Sequence, residues 1–166
     1  MFLFMLVKYI VMLCGVGAIV GFVFALIPAR VFNIKAWRKV FGFEKNGAFY
    51  EYYLKISLWK DLIPQFSKMF HFGYKKDKIP VKDMAHYEMF VIETIRAEIT
   101  HILLILFSPL YYTVIPSNWA TFSVVASVIA NIPCIAIQRY NRIRILKILA
   151  RMEKKFQKSS EETEEN

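Results

Sequence analysis

The sequence predicts an all-α integral membrane protein with about three transmembrane helices and an aromatic, basic, interfacial helical region between the first and second. Three observations predict it. Of the 166 residues, 57% are apolar and 16% aromatic, and the mean hydropathy is +0.38. Three stretches are apolar over roughly the length of about 20 residues that a bilayer core requires. Finally, 20 of the 22 Lys and Arg residues fall in two segments that these stretches separate. Disorder is excluded, because it needs low hydrophobicity and high charge, and only 21% of the residues are charged. A net charge of +9 on an oily, aromatic chain points to an anionic membrane surface and not to nucleic acid.

The first span is placed at about 9–28, since Val11 to Pro28 carries no charge and Arg30 closes it. The run is long for the apolar part of a signal peptide, and Pro28-Ala29-Arg30 makes a poor cleavage site, so a retained anchor is expected. Gly17 and Gly21 have the spacing of a close helix-packing motif.

Residues 30–80 form the interfacial region. Eleven aromatics from Phe41 to Tyr74 stand among twelve basic residues from Arg30 to Lys82, a mixture suited to the headgroup layer. On one helix, Phe49, Tyr52, Tyr53, Ile56, Trp59 and Ile63 share a face, with Lys60 interrupting it. A cytoplasmic subdomain packing these aromatics on itself is the alternative. Gly73 and Pro80 punctuate the return to the membrane.

The second span is placed at about 92–115, within a helix beginning near Val81, and Pro109 is expected to kink or end that helix. The third is placed at about 119–138. Ser108 to Asn118 joins them as an uncharged turn holding Pro109 and Pro116, so the two spans form a hairpin. The positive-inside rule puts both basic segments in the cytoplasm and the N-terminus outside, giving a multi-pass cell-membrane protein. Residues 139–158 read as a basic amphipathic helix on Ile145, Leu149, Met152 and Phe156, completing a single membrane domain over 1–158. Residues 159–166 read as an acidic, disordered tail.

Ionisable residues at membrane depth are costly and mark sites. They gather where the second span enters the bilayer: Glu93, Arg96, Glu98 and His101. Glu98 and His101 are three residues apart, so their side chains can meet on a helix. A carboxylate that orients an imidazole and raises its basicity makes His101 a candidate general base, with Glu98 as its orienting partner. The bland alternative is a salt-bridged helix end with a histidine bonded to a backbone carbonyl. Asn131 lies within the third span, and Gln138, Arg139, Asn141 and Arg142 lie at its cytoplasmic end, where the hairpin returns to the level of His101. These residues and Glu93 and Arg96 are the candidates for binding substrate, although a basic collar after a span is the ordinary role of such arginines. No metal site is expected. Cys14 and Cys134 stand alone in apolar runs, and a bundle metal site needs more carboxylates than Glu98. His71 and His86 lie outside the apolar runs and take no role.

Two segments carry a resemblance. IETIRAEITH (Ile92 to His101) and ANIPCIAIQRYNRIRI (Ala130 to Ile145), together with FGFEKNGAFY (Phe41 to Tyr50), resemble the glycosyl-4,4'-diaponeurosporenoate acyltransferases of bacterial carotenoid synthesis. The resemblance runs from about Arg30 to Leu149. Ile143 departs from it, standing where the family favours proline. It implies a membrane acyltransferase that esterifies a sugar hydroxyl of a membrane glycolipid or glycosylated carotenoid with a fatty acyl group; in the carotenoid case that step completes staphyloxanthin. No bound cofactor is implied, and acyl-CoA or an acyl carrier protein is the co-substrate. In that chemistry His101 accepts the hydroxyl proton, and Arg96, Asn131 or Arg139 stabilises the oxyanion. With no serine elbow or reactive cysteine in view, direct transfer is favoured over an acyl-enzyme. A non-catalytic lipid-binding or transport accessory protein is the rival class. A small reductase or methyltransferase is a weaker one, since no nucleotide motif is present. Oligomer formation stays open.

Overall fold

The computed structural model describes residues 2–28, 31–32, 41–63 and 84–164. Among them the chain is all-helical. Helix α1 spans Phe2–Ala25, α2 Ala48–Tyr52, α3 Ile56–Trp59, α4 Met84–Leu106 and α5 Ser117–Glu164. Short 3-10 helices run over Gly42–Gly47 and Ser108–Thr113.

At 1.5 Å per residue, α1 is roughly 36 Å long, more than a bilayer core. Two helices, α1 and α5, are long and apolar enough to cross a membrane. The expected second span is not one helix. Helix α4 ends at Leu106, because Pro109 at the start of the following 3-10 helix has no N–H with which to continue the α-helical ladder. The uncharged character does continue, from Ile99 through Pro116. The Pro116 carbonyl then accepts the Trp119 and Ala120 N–H groups and opens α5. That helix is 48 residues long and carries Pro133 inside it. The apolar third span and the basic segment after it are therefore one element. Helix continues through Ser159–Glu164 as well, where composition suggested disorder, and Ser159 and Ser160 bond back to the Phe156 carbonyl.

The residues divide into two compact units. The first comprises Met1–Pro28 and Arg96–Gln138, the second Ala29–Ile95 and Arg139–Asn166. In the first unit the Arg96 guanidinium donates to the Ile27 carbonyl, the Tyr9 and Trp119 rings meet at a tilt with centroids 5.1 Å apart, and Gly17 lies opposite Leu104. Its interior holds Thr100, Ser108, Ala120, Ser123 and Ser127, while Leu3, Phe4, Ile19, Leu106 and Ile129 are exposed. Small residues inside and large apolar ones outside are the arrangement of helices packed in lipid.

The second unit buries more branched aliphatic side chains, although Phe41, Phe43, Leu58 and Leu62 are exposed on it. Ile56, Val91, Ile95, Ile143 and Leu149 are buried. The single aromatic helix face expected over 49–63 is broken: Lys55 adopts φ 46°, which separates α2 from α3. Of the expected stripe Ile56 is buried, whereas Tyr52 and Tyr53 are exposed, and Tyr50, outside the stripe, is buried. Gly47 (φ 92°) begins α2 in the left-handed region, and a β-carbon there would sit 3.5 Å from Ile143. Glycine is favoured at such a position. The remainder of the interfacial region, 64–80, and the start of the helix at 81–83 lie outside the described residues.

Candidate active site

In the first unit, the His101 Nδ1 lies 2.7 Å from the Asn131 Oδ1. The amide is oriented by its other end, since Asn131 Nδ2 donates to the Ser127 carbonyl at 2.7 Å. Ser127 Oγ in turn donates to the Leu104 carbonyl at 3.2 Å, fastening α5 to α4. With Nδ2 so engaged, Oδ1 faces the ring, and an oxygen can only accept. Nδ1 therefore carries a proton, and in the neutral form of the ring the lone pair stands on Nε2. No hydrogen-bond partner holds Nε2 among the described residues. A ring fixed at one nitrogen and open at the other is the geometry a general base needs.

Asn131, on the facing helix, is the partner seen at His101 Nδ1, and Glu98, the orienting partner expected from the sequence, is buried in the same unit. Arg96 spends part of its guanidinium on the Ile27 carbonyl. Gln138 is half-buried at the end of this unit. An apolar cleft of about 360 Å³ also lies here, lined by Val16 and Val20 of α1, Leu103, Leu104 and Phe107 of α4, and the 3-10 helix after it.

The remaining expected residues belong to the second unit. Glu93 and Asn141 are half-buried there and Arg142 is buried. Arg139 does not present a free guanidinium, as capture of a substrate or oxyanion would require. Its Nε and Nη2 donate to Glu44 Oε1 and Oε2 at 2.7 and 3.0 Å, and its plane lies 4.6 Å from the Phe41 ring. Glu44 has no exposed surface, and it also accepts from Tyr50 OH and the Phe41 N–H, each at 2.6 Å. Burial works against its charge, but the bonds from Arg139, Tyr50 and Phe41 outweigh burial and hold the carboxyl below its ordinary value. The Tyr50 phenol is pushed up to about 12 by burial and by donation to that carboxylate. Nearby, Tyr140 donates to Glu51, which also accepts from Ser57 at 2.9 Å.

Sequence reasoning missed Glu44 and Tyr50. The signal was present: among the twelve basic residues of this region Glu44 and Glu51 are two of very few acids, and each bonds the segment carrying Arg139 and Tyr140.

Two helices long and apolar enough to cross a membrane, an interior rich in small and hydroxylated residues, and a histidine held at one ring nitrogen by an asparagine characterise an all-helical protein with a candidate acid–base site. The chain belongs to the glycosyl-4,4'-diaponeurosporenoate acyltransferase family, whose profile matches residues 28–151. It is 32% identical over 124 residues to the glycosyl-4,4'-diaponeurosporenoate acyltransferase of Staphylococcus aureus strain MRSA252, covering 74% of each chain. To that of strain Newman it is 30% identical over 130 residues, covering 78% of each. No solved structure matches it. The protein is thus an enzyme, an acyltransferase of the class that transfers groups other than amino-acyl groups. The matched segment contains every candidate site residue and the Glu44–Arg139 pair, and leaves α1 outside.

Proposed function

We propose that this acyltransferase esterifies a sugar hydroxyl of a membrane glycolipid or glycosylated carotenoid with a fatty acyl group, with His101 as the general base. The observation that carries the reading is the Asn131-held imidazole with Nε2 open. Nε2 accepts the hydroxyl proton as the sugar oxygen attacks the carbonyl carbon of an acyl thioester. The tetrahedral intermediate collapses, the C–S bond breaks, and the leaving thiolate takes the proton from the imidazolium to depart as a thiol. The products are the ester, the free thiol and a neutral ring ready for the next turnover. Buried Glu98, three residues from His101, favours the imidazolium formed midway. The basic residues of the second unit attract the anionic donor, acyl-CoA or an acyl carrier protein.

The first unit is read as lying in the cell membrane, with the N-terminus outside and the basic segments cytoplasmic. Its exposed Leu3, Phe4, Ile19 and Ile129 support that reading. Exposed Phe41, Phe43, Tyr52 and Tyr53 in the second unit support seating it in the headgroup layer. The test is lipidomics of a deletion strain complemented with wild type or with His101→Ala. An acylated glycolipid that returns only with the wild type supports the reading. Equal return with both variants rejects His101 as base, and no returned lipid with either rejects the substrate class.

A further inference from the structure

We infer that the apolar cleft of the first unit is the slot for the donor's acyl chain, with the chain's carbonyl end toward His101. This rests on the reading of acyl transfer at His101. The cleft and the base share a wall. Leu104, which lines the cleft, gives its carbonyl to Ser127, and Ser127 holds the amide that holds His101. Leu103 and Leu104 follow His101 by two and three residues on α4, so the cleft begins within about one turn of the ring. Across it, Gly17 brings α1 close: a β-carbon there would lie 3.8 Å from Leu104 Cδ1. Val16 and Val20 flank that approach and form the opposite wall. Of the Gly17–Gly21 spacing only Gly17 makes this approach, since a β-carbon at Gly21 would meet nothing within 4 Å.

The lining selects hydrocarbon. Its surfaces are branched aliphatic side chains with Phe107 and Tyr111, and the hydroxyls of Ser108 and Thr113 are turned to the backbone carbonyls of Ile105 and Leu110, each at 2.8 Å. The Tyr111 phenol is the one further polar group of the lining, too few for a sugar or a nucleotide. Size then separates the two hydrocarbons of the reaction. A volume of about 360 Å³ lies near the low end of ligand pockets. The 3-10 helix Ser108–Thr113 bounds the cleft. A saturated acyl chain turns through staggered torsions and fits a short, irregular slot. The conjugated polyene of a carotenoid is straight and rigid, so it is left to the lipid outside. The length of apolar lining available to the chain sets which acyl chains are favoured, and Val16, Val20 and Leu110 are its specificity-determining residues.

The test uses the full chain in membranes. The first arm offers an equimolar mixture of decanoyl-, myristoyl- and stearoyl-CoA and reads the acyl composition of the product by mass spectrometry. Each methylene denied apolar burial is worth about fourfold in preference. Val16→Phe and Val20→Phe should lower the stearoyl-to-decanoyl ratio by about tenfold or more, and Leu110→Ala, at an exposed rim position, should raise it. The second arm needs no turnover. A palmitoyl-CoA carrying a photoactivatable diazirine at the end of its chain should label Leu110–Val114, and Val16→Phe should reduce that labelling. Unchanged product ratios in all three variants overturn the slot while acyl transfer stands. Labelling of Leu110–Val114 without transfer to any acceptor upholds the slot and rejects the reading of His101 chemistry on which it was built. Labelling equal at Leu110–Val114 and at exposed Ile19, and unaffected by Val16→Phe, overturns the slot whatever the activity.

Discussion

The two units differ in what they bury: small and hydroxylated residues predominate inside the first, beside Tyr9 and Ile137, and aliphatic side chains inside the second, beside Glu44 and Arg142. The first hides Thr100, Ser108, Ala120, Ser123 and Ser127 and shows leucine, isoleucine and phenylalanine on its surface; the second hides Ile56, Val91, Ile95, Ile143 and Leu149. Water drives large apolar side chains inward, because their exposure is what it penalises. Hydrocarbon does not, so helices within it associate through small side chains that allow close approach. The polar contacts follow the same division. In the second unit an acid and an arginine, 95 residues apart, close a network in which the carboxylate accepts four hydrogen bonds. The first unit holds a neutral pair 30 residues apart, and one ring nitrogen stays open. A charge needs its lone pairs filled when buried, whereas a neutral imidazole can remain incomplete at small cost. The complete network is suited to holding a fold and the incomplete one to doing chemistry.

The largest expected effect comes from breaking the closed network. Glu44→Ala leaves the Arg139 guanidinium without its carboxylate, and removing one partner of a buried pair costs about 3–5 kcal/mol. Thermal unfolding in detergent should show a large fall in Tm, with activity lost in step with folding. Replacing Glu44 and Arg139 together by Leu and Met should recover much of the loss. If Glu44→Ala unfolds like the wild type, the network does not hold the fold and the contrast with the first unit disappears.

Next in size, His101→Ala should lower acyl transfer by about 10²- to 10⁴-fold. Its unfolding curve should match the wild type, because the ring makes one neutral hydrogen bond. Activity and stability falling together would place His101 in the same category as Glu44. Glu98→Gln should be milder, keeping the buried shape while removing a charge.

Part of the fold was legible in the sequence. Charge-free stretches read in succession predicted the helical character and about three spans, of which two coincide with helices long and apolar enough to cross a membrane among the described residues, and His101 with Asn131 stood out because polar groups are rare in such runs. The end of α4 was legible as well, since it stops at Leu106 as the expectation that Pro109 kinks or ends the helix requires. Two features were not legible. The break at Lys55 depends on a left-handed backbone that no side-chain pattern announces. The role of Arg139 depended on a partner 95 residues away. An arginine after a span has the same local sequence whether it faces lipid headgroups, a substrate or a buried glutamate, and only the fold distinguishes them.

Removing the orienting amide should cost less than removing the base. A net hydrogen bond is worth about 1 kcal/mol, so Asn131→Ala should lower activity roughly five- to tenfold. The informative measurement is the double variant. If Asn131 acts only through the ring, Asn131→Ala should cost nothing further once His101 is alanine. An equal loss in both backgrounds would give Asn131 a separate role, such as contact with the oxyanion.

The smallest expected effect is a pH dependence confined to the second unit. Burial opposes the charge of Glu44, yet Arg139, Tyr50 and the Phe41 N–H hold its folded pKa below the ordinary 4.5. A carboxyl that binds its proton less readily folded than unfolded stabilises the fold in full above about 4.5, and that share fades as the pH falls through the depressed value. Tyr50 acts at the other end. Its phenol is raised from the ordinary 10 to about 12, so its share is present below 10 and is lost as the pH climbs through 12. Tm measured against pH should therefore decline on both flanks. Glu44→Gln should flatten the acid side and Tyr50→Phe the alkaline side, each against its own lower baseline. An unflattened acid side in Glu44→Gln would assign that decline to other carboxyls, Glu51 first among them, since its hydrogen bond from Tyr140 depresses it in the same direction.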